Sequence, residues 1–284
     1  MEFIDKNSEL PKNCALILGF FDGIHAGHRD VINNTPNNHK ILITFSNSPA
    51  EYFNENFNYI YNREHNYKIL KEYGIDYIFE QDFSQIVNMK AEAYLEMLIA
   101  KFKPISITTG FNHTFGANRE GDANFLKCYK SSFNYYCTPP TIIDNEIVSS
   151  TKIKEFLRIG NLEKANKFLT RNFSIESTVI EGLKLGRKIG FPTANMKYPQ
   201  NIIKIPYGVY KVQVFNQPAI LNWGIKPTIG SDEILEIHIP NFKKDLYGEK
   251  LKVDFLSKIR NEKKFESLDE LKLQIERDIE ECLK

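Results

Sequence analysis

Three things are scarce in this sequence: paired cysteines, long apolar runs and net charge. Its four cysteines, Cys14, Cys128, Cys137 and Cys282, stand apart with no C-x-x-C pair. That spacing excludes a zinc ribbon or a disulfide framework and predicts reduced thiols used for packing. Nowhere do about 18 apolar residues run together, and the start, M-E-F-I-D-K, lacks the basic-then-apolar order of a secretory leader. A soluble chain in the cytoplasm, with no membrane partner, is therefore expected. Lys and Arg number 37 against 36 Asp and Glu, so no general field gathers a polyanion. Nucleic acid is excluded as a partner, and phosphate binding has to be local. Internal repeats and the Walker pattern G-x-x-x-x-G-K-[ST] are absent too, and no feature indicates an oligomer.

What is present divides the chain in two. Cys14 to Phe21 is a short apolar run ending in glycine-rich turn chemistry, the pattern of a buried parallel strand. Further strands are predicted at 40–45, 77–79 and 105–109, with helices at 64–73 and 91–100 between them, an alternation that implies a parallel α/β sheet. A helical pattern from Ser149 pauses at Gly160 and resumes over Leu162 to Leu169. Past Thr170 the texture changes to short β-rich runs at 173–180, 209–215, 219–223, 235–239 and 251–255, split by Gly, Pro and Asn turns. The expectation is a Rossmann-like domain over 1–170 and a small antiparallel barrel over 171–284. Ser267 and Glu270 form a capping box, after which Leu268, Leu271, Ile275 and Ile279 trace one stripe of a C-terminal helix packed on the barrel.

Two constellations carry chemistry. Gly19 to His28, G-F-F-D-G-I-H-A-G-H, sets two histidines three residues apart where a strand hands over to a helix. Backbone N–H groups and the helix dipole favour anions there, and two imidazoles add donors. Taken alone, the same residues fit a metal site or a plain glycine-rich turn. In Gly186 to Asn195, G-R-K-I-G-F-P-T-A-N, Thr193 and Asn195 alternate about Ala194, placing a hydroxyl and an amide oxygen on one face, both suited to Mg²⁺. In isolation this segment reads equally as a basic turn shaped by Gly190 and Pro192.

Together these segments resemble the bacterial riboflavin kinase/FAD synthetase family. The first matches the nucleotidyltransferase signature in its G-x-F-D-G-x-H-x-G-H form, which implies that His25 and His28 contact ATP phosphates in a loop shaped by Gly19, Phe20, Asp22 and Gly23. G-F-N-H-T-F-G at 110–116 is similar to the family's G-x-[DN]-F-x-F-G and puts Asn112 on the flavin side, with His113 where Phe is usual. S-S-T-K-I-K at 149–154 resembles S-S-T-x-I-R and brings Ser150, Thr151 and Lys154 to ATP, although Ser150 and Thr151 serve equally as N-caps. In T-F-S-N-S-P, Asn47 and Ser48 replace the family's Pro and His.

The second segment resembles the riboflavin kinase signature G-R-x-x-G-x-P-T-A-N. G-V-Y at 208–210, G-I-K-P-T at 224–228, E-I-H at 236–238, D-L-Y-G at 245–248 and R-N-E-K-K-F at 260–265 follow in family order. The resemblance implies that Gly186, Arg187, Gly190, Pro192, Thr193 and Asn195 bind Mg-ATP, that Glu236 is the general base for the ribityl hydroxyl, and that Arg260 and Glu262 lie beside the flavin. Lys226, Ser177 and Asn241 depart from the usual residues. The implied function is phosphorylation of riboflavin to FMN and adenylylation of FMN to FAD, both with ATP and magnesium. The alternatives are a kinase with weak or lost adenylyltransferase, a flavin-binding regulatory protein, and a transferase for another phosphorylated acceptor.

Overall fold

The computed structural model describes residues 1–5, 8–53, 57–129, 133–182, 185–225 and 233–283. The last residues of the G-I-K-P-T motif, 226–228, lie outside them. The chain divides into two compact units, Met1–Ser150 and Thr151–Lys284.

In the first unit six strands form one sheet: β1 (Glu2–Phe3), β2 (Cys14–Leu18), β3 (His39–Phe45), β4 (Tyr77–Gln81), β5 (Ser106–Gly110) and β6 (Asn134–Thr138). Their order is β1-β4-β3-β2-β5-β6, and every pairing is parallel. All five residues of β2 are buried, as a central strand covered on both faces demands. Around the sheet run α1 (Ala26–Asn34), α2 (Pro49–Phe53), α3 (Arg63–Glu72), α4 (Phe83–Ile86), α5 (Ala91–Phe102) and α6 (Ala123–Cys128), followed by a hairpin of β7 (Ile142–Ile143) and β8 (Glu146–Ile147). In α5, Ala91, Tyr94, Leu95, Leu98 and Phe102 are buried at helical spacing, and the helix ends on Lys103 in the left-handed region. β6 escaped the sequence reading because N-Y-Y-C-T has little aliphatic character; its pairing with β5 makes it a strand.

Because β2 to β4 step outward in one direction and β5 returns on the other side of β2, connections leave the neighbouring strands β2 and β5 in opposite senses. A crevice opens at their C-terminal ends, the usual place for ligands in such sheets.

The second unit contains α7 (Ser150–Arg158), whose first residue closes the first unit, then α8 (Leu162–Leu169) and a closed barrel. The barrel strands are β9 (Phe173–Ile180), β10 (Ala194–Lys197), β11 (Gly208–Val214), β12 (Gln217–Ile225), β13 (Glu233–His238) and β14 (Lys250–Arg260), interleaved with the short α9 (Leu185–Lys188) and followed by α10 (Leu268–Leu283). Antiparallel neighbours run β10-β13-β12-β11-β14-β9, and β9 pairs with β10 to close the ring. Met196, Tyr210, Leu221, Trp223, Leu235 and Phe255 fill the core, each 0% exposed. Their strand neighbours therefore face outward.

Three expectations need correction. Leu268 is 68% exposed, and the packed face of α10 holds Asp278 and Cys282 as its buried residues; the apolar stripe omitted the polar residue that the barrel covers. The capping box is half formed: Ser267 Oγ accepts from Glu270 N at 3.2 Å, but Glu270 returns its bond to Glu266 N, one residue early. Of the cysteines read as packing residues, Cys14 and Cys282 are buried, whereas Cys128 is exposed.

Candidate active sites

The first site is built by the turn between β2 and α1. Gly23 adopts φ +86°, and a Cβ there would lie 2.7 Å from Ile60 Cδ1, so only glycine fits. The turn is bolted down on three sides. Asp22 Oδ1 accepts from Ile60 N at 2.9 Å, Gly23 N donates to Asn66 Oδ1 at 3.2 Å, and Ser150 Oγ donates to the Asp22 carbonyl at 2.8 Å.

His25 is the N-cap of α1, its Nδ1 accepting from His28 N at 3.3 Å. An accepting Nδ1 carries no proton, so the ring's N–H is Nε2, a donor for an anion at the helix N-terminus. The two imidazoles stack with centroids 3.6 Å apart, and Phe21 stacks on His28 at 4.4 Å. Burial lowers the His25 pKa from 6.5 to about 3; burial and the neighbouring His25 lower that of His28 well below 6.5. Both rings are thus neutral at pH 7, and His28 Nδ1 is buried with no partner. An unpartnered buried polar atom of this kind is unusual and leaves bonding capacity at the helix N-terminus.

These shifts have a stability consequence. The folded state holds the histidines neutral, so below pH 6.5 the unfolded chain binds more protons than the folded one. Stability present above that pH is expected to fall as pH drops toward 3, by about 1.4 kcal/mol per pH unit for His25, with His28 acting in the same direction. Thermal unfolding from pH 7 to pH 4 should show the melting temperature falling, and a shallower fall in His25→Gln. An identical slope in the variant would refute the assignment.

On the far side of the crevice, the turn after β5 carries Asn112, which is exposed, and His113, whose ring stacks on Phe115 at 5.9 Å and whose pKa burial lowers to about 4. Beside Phe20 and Phe21 lies a cavity of about 330 Å³, also lined by Thr44, Asn47, Tyr59 and Asn66. The altered tail of T-F-S-N-S-P has a local structural use: Ser48 Oγ accepts from Ala50 N at 3.1 Å to start α2, and Asn47 Oδ1 accepts from Phe83 N at 3.4 Å. Thr151 is exposed in the first turn of α7 and Lys154 is buried on it. Asn66 was missed by sequence reasoning. Its signal was a polar residue on the face shared with Ile69 and Leu70, three and four positions on.

The second site lies on the outside of the barrel. Asn195 pairs across to Glu236, and Glu236 across to Asn222; Asn222 then faces Val209, and Val209 faces Arg260. Directly opposed residues point to the same side of a sheet, roughly 5 Å apart at Cβ. One outward row therefore runs from Asn195 through Glu236 and Asn222 to Arg260. At the Asn195 end opens a cavity of about 640 Å³ lined by Gly182, Arg187, Pro192, Thr193, Asn195 and Phe242, among others.

The G-R-K-I-G-F-P-T-A-N segment is folded back on itself, with Phe191 N donating to the Gly186 carbonyl at 2.8 Å and Gly190 at φ +92°. His238 Nδ1 sits 2.8 Å from the Pro192 carbonyl, which can only accept, so the ring bears its proton on Nδ1 and pins the segment to β13. Asn195 Nδ2 donates to the Thr193 carbonyl at 3.4 Å. At the other end of the row Glu262 lies over Gly224, where any Cβ would collide with its carboxylate. Asn222 and His238 are the working additions here; the alternation of L-N-W-G, with Leu221 and Trp223 inward, was the available signal for Asn222.

Comparison with known proteins bears on both sites. A riboflavin kinase family model matches residues 169–284 and an FAD synthetase family model residues 7–152. A bifunctional riboflavin kinase/FMN adenylyltransferase of Buchnera aphidicola subsp. Schizaphis graminum is 36% identical, covering 96% of this chain and 94% of the relative. Its counterpart in Haemophilus influenzae is 33% identical over 95% and 93%, and that of Escherichia coli K12 32% over 95% and 92%. A solved structure described as a macrolide-efflux protein from Streptococcus pneumoniae superposes with a TM-score of 0.88 at 30% identity, covering 97% of this chain and 95% of the other. Among the described residues, no helix is long and apolar enough to cross a membrane.

Proposed function

Because this chain belongs to the bifunctional riboflavin kinase/FMN adenylyltransferase family, we propose that its two sites divide the chemistry. The enzyme phosphorylates riboflavin with ATP to FMN and adenylylates FMN to FAD, releasing pyrophosphate. We assign kinase activity to residues 171–284 and adenylyltransfer to residues 1–170, a division supported by the separately matched segments.

The register Asn195–Glu236–Asn222 beside the larger cavity carries the kinase reading. A primary alcohol is a poor nucleophile, so a carboxylate that accepts its proton as the oxygen attacks the γ-phosphorus lowers the barrier. Glu236 is that carboxylate, one strand from Asn195 and thus beside the nucleotide. The Thr193 hydroxyl and Asn195 amide oxygen are hard donors that fit magnesium, and no cluster of three His, Cys, Asp or Glu residues competes among the described residues. Bound there with the nucleotide, magnesium would neutralise phosphate charge. Arg187 and Pro192 line the same pocket, and Gly186 and Gly190 shape the turn that carries them.

In the first unit the FMN phosphate is already a nucleophile, so the site has only to align it with the α-phosphorus of ATP and stabilise charge. The α1 N-terminus with His25 and His28 supplies donors, Gly19 to Gly23 form the cradle, and Ser150, bonded to the Asp22 carbonyl, adds a hydroxyl on the phosphate side. Asn112 across the crevice serves the flavin side. Four free thiols suit a reducing cytoplasm.

Purified protein incubated with riboflavin, ATP and Mg²⁺ should show FMN rising and then giving way to FAD on chromatography. FMN alone would remove the adenylyltransferase half. No product from riboflavin or from supplied FMN would overturn the reading.

A further inference from the structure

Arg260 closes the outward row of the barrel, yet its guanidinium is held from behind. Nε donates to both carboxylate oxygens of Asp278 at 3.0 Å, and Nη2 to Asp278 Oδ2 at 2.8 Å. Asp278 is 3% exposed and comes from α10, 18 residues further along. Gln274 Nε2, one turn earlier, donates to Asp278 Oδ1 at 2.9 Å and fixes that carboxylate in turn. A bidentate pair of this kind holds orientation as well as charge.

The guanidinium passes this order on to segment 261–265. Its Nη1 donates to the Asn261 carbonyl at 3.1 Å, and its carbon lies 5.8 Å from the centre of the Phe265 ring. Between those two anchors sits Glu262, its carboxylate laid on Gly224. Gly224 is two residues from Asn222 and so on the same outward face of β12. Burial raises the Glu262 carboxyl above its ordinary value.

The row itself says which substrate meets this segment. The nucleotide cavity opens at Asn195, and Glu236 stands next along the row. Attack in line with the leaving phosphate brings the acceptor alcohol from the side away from the nucleotide. That side is Asn222, Gly224 and Glu262. We propose that Asp278 is a positioning residue for the acceptor: through Arg260 it sets segment 261–265 as the wall against which riboflavin lies, making the C-terminal helix part of the kinase site. The proposal rests on the kinase reading above.

The test uses the full-length chain and Asp278→Asn, which keeps shape but removes the charge. KM for riboflavin is expected to rise about tenfold or more, as loss of a charged hydrogen-bond partner implies. KM for ATP and adenylylation of supplied FMN should stay within about twofold, since those groups share no partner with Asp278. Riboflavin affinity is read independently of turnover through the fluorescence of Trp223, the sole tryptophan, adjacent to Gly224. An unchanged riboflavin KM and Kd in folded Asp278→Asn, or equal rises for riboflavin and ATP, would overturn the proposal. If that variant does not fold, Gln274→Met decides: it removes one bond to Asp278 and is expected to weaken riboflavin about threefold without moving ATP, and no change would sink the idea. Wild-type protein that binds riboflavin without phosphorylating it would refute the kinase reading, while the binding comparison would still judge the clamp.

Discussion

Glu236→Gln is expected to stop FMN formation from riboflavin while conversion of supplied FMN to FAD continues at the wild-type rate. The substitution keeps the size and outward direction of the side chain in β13, so the pairings with Asn195 and Asn222 need not change. What it removes is the proposed proton acceptor. General-base contributions of this kind are worth about 100- to 10,000-fold, and the loss should appear in kcat, with KM for ATP nearly constant. Measured initial rates with riboflavin and with FMN as separate substrates would decide it. A kinase rate within about threefold of wild type would mean that proton transfer is not assisted by this carboxylate.

The converse experiment is His28→Ala, for which FAD formation from FMN should fall by about 100-fold or more while riboflavin phosphorylation is retained. His28 stacks on both His25 and Phe21, and its backbone N–H caps onto His25. Removing the ring takes away a donor in a buried site, where water replaces it poorly, and leaves the His25 ring unsupported. His28→Asn, which restores a donor without the stack, is expected to recover part of the rate. If both variants adenylylate FMN normally, the anion-binding role of this helix terminus is wrong and the paired rings are packing.

Each pocket's local chemistry could be read along the chain, because strand periodicity, turn glycines and helix caps are set by neighbours a few residues apart. The runs at 173–180 and 162–169 appear in the structure as β9 and α8 with those same limits. G-F-F-D-G-I-H-A-G-H does turn from a strand into a helix, and Thr193 to Asn195 do enter an extended strand. The segments not read from the sequence were those with little apolar signal, β1 with two residues and β6 with its tyrosines; α10 was read from its apolar stripe, but not the burial of Asp278 on it.

By itself the sequence determined the two fold classes, the motif order and the chemical character of each pocket. Only the tertiary structure decided which residues share a pocket. The turns after β2 and β5 face one crevice because the strand order reverses beside β2, a matter of long-range pairing that no local pattern encodes. Asn195, Glu236 and Asn222 fall in one row because their strands pair in one register, where a slip of one residue would turn each side chain to the opposite face, and Arg260 joins them through register shifts between β11 and β14 that set it opposite Val209. Asp278 reads in sequence as one more solvated acid on a helix. The guanidinium of Arg260 and the covering barrel make it a buried anchor, since a carboxylate is kept out of water only where a partner of opposite charge is already in place.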